Sequence, residues 1–169
     1  MENENKSDLQ KFFDEKQYRT AIMNNGEEFE TNEPKGDKLA ALISLLTDPS
    51  NKDVKEETLL ALKKEKAGGL LITAIKSPKA KKHKAILIAA CWESEINFSN
   101  QLPFFTELVM DSDYLVSLEA TTVIENMEGP FNENDLKDSI KALKEFKKKI
   151  STEQIVLVND LIDVLQSRF

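Results

Sequence analysis

Apolar positions along this chain recur at three- and four-residue steps, the spacing that lines one face of an α-helix. Leu39, Leu42, Ile43 and Leu46 form a clear run of this kind, with Asp37 placed to cap its start and Asp48-Pro49-Ser50 to break it. A further helix is predicted over about 53–66, with Val54, Thr58, Ala61 and Leu62 facing inward. Gly68-Gly69 ends that segment and admits a short helix, "LLITAIK". Ser77-Pro78 stops it, because a residue before proline is pushed out of the α region. Pro78 then suits the first turn of the next helix, 77–94, whose body is an apolar run from Ala85 to Trp92.

Upstream, Ser7-Asp8 can cap a first helix reaching about Met23, followed by the polar linker "NNGEEFETNEPKG". Downstream, "LPFFTELVMD" and "DYLVSLEATTVIENM" read as two helices closed by Gly129-Pro130. A last pair, "NENDLKDSIKALKEFKKKI" and "STEQIVLVNDLIDVLQSRF", meets at Ser151-Thr152, where Ser151 can act as the cap. In the final helix Ile155, Val158, Ile162, Leu165 and Phe169 make one stripe, and Val156, Leu157, Leu161 and Val164 widen it. So broad an apolar surface needs cover from the first helix, the preceding helix or a second copy. Intramolecular cover, and hence a monomer rather than a homodimer, is the expectation. No strand-like alternation stands out, so the class is all-α, with eight or nine helices joined by short turns.

The helices also repeat in pairs about every 30 residues, the interval of stacked helical repeats. "LLTDPSNKDVKEETLLAL" at 45–62 and "LVMDSDYLVSLEATTVI" at 108–124 share an order of features. Each has an apolar helix end and an aspartate (Asp48 or Asp111), then a turn and a valine (Val54 or Val116). A small residue follows four later (Thr58 or Ala120) and an aliphatic eight later (Leu62 or Ile124). With Lys55, Pro103 and Leu108, these residues resemble the HEAT and armadillo-type α-solenoids over about residues 37–128. One extra residue in the first turn and Ser117, where the family usually has a basic residue, depart from that pattern.

The resemblance implies a right-handed superhelix of about four antiparallel helix pairs. On that reading residues 1–34 hold an N-terminal helix and acidic linker, and 35–169 the repeat domain. The helix at 77–94 becomes the second of a middle pair, covered on most sides, with Cys91 a small core residue.

Composition agrees with the pattern. The 169 residues are 40% hydrophobic, with five glycines and five prolines, which favours helices over tight-turned sheets. The polar N-terminus lacks the apolar core of a signal peptide, and a single cysteine allows no intramolecular disulfide, so a cytoplasmic protein is expected. The net charge of −7 is uneven: residues 85–136 contain no lysine or arginine and ten acids. Such a stretch reads either as a solvated surface that keeps the chain soluble by like-charge repulsion or as one that attracts a cationic partner and repels nucleic acid. Lys79, Lys81, Lys82 and Lys84 make one small basic patch, read as a solvated turn or as a site for an acidic partner.

Motifs for chemistry are missing. One cysteine and one histidine, Cys91 and His83, are too few for a zinc site, and neither phosphate-binding glycine motif occurs. Asp111-Ser112-Asp113 lacks the glycine and distal glutamate of an EF-hand and is better read as capping. No cofactor and no metal are expected, and no membrane contact. The resemblance implies a non-catalytic module that binds a protein or peptide along the second helices of its pairs. Trp92, Tyr114, Ser117, Thr121 and Glu125 are candidates for that face, with Lys81 and Lys84 at its edge. A plain core tryptophan is the alternative for Trp92. The runner-up reading is a helical-repeat enzyme, a carboxylate-dependent hydrolase or DNA glycosylase-like protein. A structural homo-oligomer is a third.

Overall fold

Proline and short polar turns punctuate the chain wherever a helix stops. The computed structural model describes residues 36–111, 113–150 and 152–168. Every regular element among them is helical, and the chain is all-α there. The helix expected at 8–23, the linker after it, the boundary at 34/35, the Ser151 cap and Phe169 lie outside the described residues. Between Ile96 and Asn97 the chain divides into two compact units.

In the first unit α1 spans Gly36–Thr47, α2 Lys52–Lys64, α3 Gly68–Lys76 and α4 Lys84–Glu93. Helix α1 begins at Gly36, and the Asp37 side chain expected to cap it lies outside the described residues. Leu42, Ile43 and Leu46 are buried, and α1 packs on α2, α3 and α4. Asp48 closes α1 by accepting from the Ser50 N–H at 2.9 Å and its hydroxyl at 2.6 Å. Those two bonds hold its carboxyl below the usual carboxylate range, the hydroxyl contributing more.

Thr58, Leu59 and Leu62 are buried on α2, while Val54 and Ala61 are only half-buried. The inward face is therefore turned towards Leu59 relative to the expected stripe. Helix α2 does not end on Gly68-Gly69. It ends where Lys66 adopts a left-handed φ of 54°, with the Ala67 N–H reaching Leu62 O at 2.8 Å. That is the backbone pattern with which helices commonly stop. Both glycines then enter α3.

The lysine-rich turn also differs from expectation. Pro78–Ala80 is a single 3-10 turn capped by Ser77, and α4 begins only at Lys84. Lys79, Lys81 and Lys82 thus precede the α-helix instead of crowding its first turn, which relieves most of the conflict with the helix dipole. Leu87, Ile88, Ala90 and Cys91 are fully buried. Burial pushes the Cys91 thiol far up, out of reach of the thiolate state, and its Sγ lies 3.6 Å from Leu87 O. It is the small core residue the pattern indicated.

In the second unit α5 spans Leu102–Val109, α6 Tyr114–Glu125, α7 Glu133–Lys147 and α8 Thr152–Gln166. Helix α5 carries Pro103 in its first turn and sets Phe105, fully buried, edge-on to Phe98 and Phe104 with centroids 5.6 and 5.2 Å away. It packs on α6 and α7, and α8 packs on α6 and α7. Val158, Leu161, Ile162 and Leu165 are buried there, so neighbouring helices cover the core of the stripe within the chain. Val156 remains exposed, and Leu157 and Val164 are half-buried.

The caps of this unit are built from side chains. Asn132 Oδ1 accepts from the N–H groups of Asn134 and Asp135 at the start of α7. Asp113 Oδ1 accepts from Leu115 N at 2.9 Å and Val116 N at 3.4 Å at the start of α6, and Asp111 Oδ1 accepts from Asp113 N at 3.1 Å. Asp111 thus closes its turn as Asp48 does. Replacing Asp113 by alanine is expected to lower stability by about 1 kcal/mol, the usual loss for an N-cap. Urea unfolding followed by circular dichroism measures it, with Asp113→Asn expected to retain most of the cap.

The loop between α6 and α7 is tied twice to the segment before α5. Asn97 Nδ2 donates to Gly129 O at 2.6 Å, and Gly129 N donates to Ser99 Oγ at 2.9 Å. Gly129 has φ +80°, a conformation where a Cβ would be strained. Its peptide bond to Pro130 is cis. From the other side Arg168, just past α8, donates from Nη2 to Glu125 O at 2.9 Å and from Nη1 to Met127 O. Its guanidinium lies 5.1 Å over the Phe131 ring.

Candidate functional site

The sequence candidates fall in both units, each described by itself. In the first unit Lys81 is exposed, Lys84 is half-buried at the start of α4, and Trp92 is 37% exposed near its end. Trp92 is therefore a surface residue and not a plain core tryptophan. On α4 the residues Ala85, Ile86, Ala89, Trp92 and Glu93 share the face opposite Leu87, Ile88 and Cys91. That outward face is apolar apart from Glu93.

Glu93 is committed elsewhere. Its Oε2 is shut off from solvent and lies 2.6 Å from Lys55 Nζ of α2. That oxygen lacks hydrogen-bond geometry, so the contact is one of charge. Glu95 pairs with Lys63, whose hydrogen bond and charge hold the carboxyl below its ordinary range. These two pairs link α2 to the end of α4.

In the second unit Tyr114 and Glu125 are exposed at opposite ends of α6. Ser117 and Thr121 are buried, which removes them from any binding surface. The Ser117 hydroxyl donates to Val109 O, and Thr121 Oγ1 donates to Ser117 O at 2.9 Å. A hydroxyl satisfied by a backbone carbonyl enters a core at little cost, whereas an unpaired one costs about 1–3 kcal/mol. At the position matching Lys55, then, Ser117 bonds back to the preceding helix where the lysine makes a charged contact with a later one.

Exposed apolar positions extend beyond the sequence candidates Trp92 and Tyr114. Among the described residues the large apolar side chains that are exposed are Leu60, Ile86, Trp92, Tyr114, Leu115 and Val156. They lie on α2, α4, α6 and α8, and none of the side chains described on α1, α3, α5 or α7 is among them. Leu60, 68% exposed, stands two residues from both Thr58 and Leu62. At 100° per residue that places it across the helix from them. Val156 stands in the same relation to Val158. Aliphatics that miss the helical stripe were the available signal.

Several acids of 85–136 have structural partners. Glu93 and Glu95 pair with lysines, Asp111 and Asp113 close turns, and Glu133 lies 3.5 Å from Lys137. Among the described residues no group of three His, Cys, Asp or Glu side chains is placed to hold a metal ion. No helix there is long and apolar enough to cross a membrane. Comparison with known proteins finds no matching family model, no matching curated relative and no matching solved structure.

Proposed function

We propose that this chain is a non-catalytic interaction module, a short HEAT-like α-solenoid whose second helices receive a protein or peptide partner. One observation carries the reading: the exposed large apolar side chains of the described residues fall on α2, α4, α6 and α8. Stacked helix pairs bury the first helices against one another and present the second ones along a binding face. The packing within the second unit supports the same scheme. In the second unit α5 packs on α7 and α6 on α8, first helix on first and second on second. In the first unit ion pairs join α2 to the end of α4, but α1 packs on α4 as well as on α3.

Trp92 and Tyr114 are the anchors of this reading, since aromatic side chains dominate binding energy where they become desolvated. Lys81, before the start of α4, and Glu125, at the end of α6 opposite Tyr114, are the exposed polar residues of this reading. Two double variants test it: Ile86→Asp with Trp92→Asp, and Tyr114→Asp with Leu115→Asp. All four positions are exposed, so circular dichroism should show the helices intact. In pull-downs from native lysate, a partner held by the original chain should be lost from at least one double variant. Loss of an aromatic hot spot weakens binding by about 30-fold or more. An unchanged set of captured proteins overturns the proposal.

A further inference from the structure

A cleft lies in the second unit, at the loop between α6 and α7. Met127 and Leu136, both buried, and Phe131 line a cleft of about 520 Å³ beside the α6–α7 loop. Arg168 forms one wall, and Glu128 and Glu133 stand exposed at the mouth. Volumes of about 300–1,000 Å³ are typical of sites that take one or two side chains or a small ligand.

The charges of the cleft decide what it takes. Arg168 is its lone cation among the lining residues, against two carboxylates. Its guanidinium is spent inside the fold, donating to Glu125 O and Met127 O and stacking on Phe131. It therefore acts as a wall of the cleft and not as a receptor for an anion. Among the described residues Glu133 pairs with Lys137, 3.5 Å away on the helix surface, an exposed contact that water weakens. The surrounding stretch 85–136 adds no cation.

We infer that this cleft docks a basic amphipathic peptide segment of a partner protein. One apolar side chain sits on Met127, Phe131 and Leu136, with flanking lysine or arginine against Glu128 and Glu133. The ties of Asn97 and Ser99 to Gly129 hold the loop in place, so the site is preformed. It does not depend on whether α4 and α6 bind anything.

Amide NMR titration of the full chain tests the inference with three synthetic peptides. They are acetyl-Lys-Phe-Lys-Phe-Lys-amide, its glutamate counterpart acetyl-Glu-Phe-Glu-Phe-Glu-amide, and acetyl-Lys-Gly-Lys-Gly-Lys-amide. The first should move the signals of Gly129, Phe131 and Leu136 saturably, and less so as salt is raised. The other two should bind more weakly. Glu128→Gln with Glu133→Gln should weaken the first by roughly three- to tenfold. Both side chains are exposed, and the spectrum elsewhere reports that the fold is kept. Equal or tighter binding of the glutamate peptide overturns the inference, as do shifts confined to other helices, insensitivity to the double variant, or no binding at all.

Discussion

Replacing Phe105 by alanine is expected to destabilise the second unit by about 3–5 kcal/mol, the range for removing a buried phenylalanine. The ring is fully buried on a helix of eight residues that packs on both α6 and α7. It also makes two edge-to-face contacts, with Phe98 and Phe104, each worth about 0.5–1.5 kcal/mol beyond burial. So short a helix is not stable alone and relies on this packing. Against a typical stability of about 5–15 kcal/mol the loss is large, and the melting temperature should fall by about 10 °C or more. Phe105→Leu keeps most of the volume and should cost much less. Calorimetry on the three proteins measures both differences. A loss under about 1 kcal/mol for the alanine variant would mean the aromatic cluster is not the core of the unit.

Arg168→Ala is expected to cost about 2–3 kcal/mol. The side chain makes charged hydrogen bonds to the carbonyls of Glu125 and Met127, each bringing about 1.5–3 kcal/mol where sheltered from water. The Glu125 bond is exposed and the Met127 bond only part-buried, so solvent screening brings each below that range, to about 1 kcal/mol. Stacking over Phe131 adds about 0.5–1 kcal/mol. Burial lowers the guanidinium's affinity for its proton, and the charge of Glu125 opposes that shift. Arg168→Lys should recover less than half of the loss, because an ammonium has no planar fork to reach two carbonyls at once. Urea unfolding of the three proteins gives the differences. Hydrogen exchange should also quicken at Gly129, since Arg168 holds the loop at Met127 and Phe131, on either side of it in sequence.

The helix faces were legible to different depths. On α1 the expected residues Leu42, Ile43 and Leu46 are buried, because its stripe is narrow and unbroken. On α6 the polarity of Ser117 and Thr121 pointed outward while packing placed them inside. They flank Val116 and Ala120 on a helix buried over a wide arc, and their hydroxyls find carbonyls at Val109 and Ser117. Thr58 and Thr106 are buried in the same manner, bonding to Val54 O and Leu102 O. Polarity alone does not report exposure for a side chain that can satisfy itself on the backbone. Trp92 and Tyr114 were found from the sequence as candidate anchors. Leu60, Ile86, Leu115 and Val156 were not, since aliphatic residues in a helical stretch read as core.

What the sequence determined by itself is the all-α class, the breaks at Asp48-Pro49 and Ser77-Pro78, the turn-closing aspartates and the buried Cys91. Each rests on interactions within a few residues of chain, where spacing and residue type are sufficient. Tertiary structure decided the rest: the turn of α2 towards Leu59, the pairing of Lys55 with Glu93, and the anchoring of the α6–α7 loop by Arg168. Those contacts join residues more than thirty apart or depend on which neighbour covers a face. Their geometry follows from how the helices pack, which no local pattern encodes.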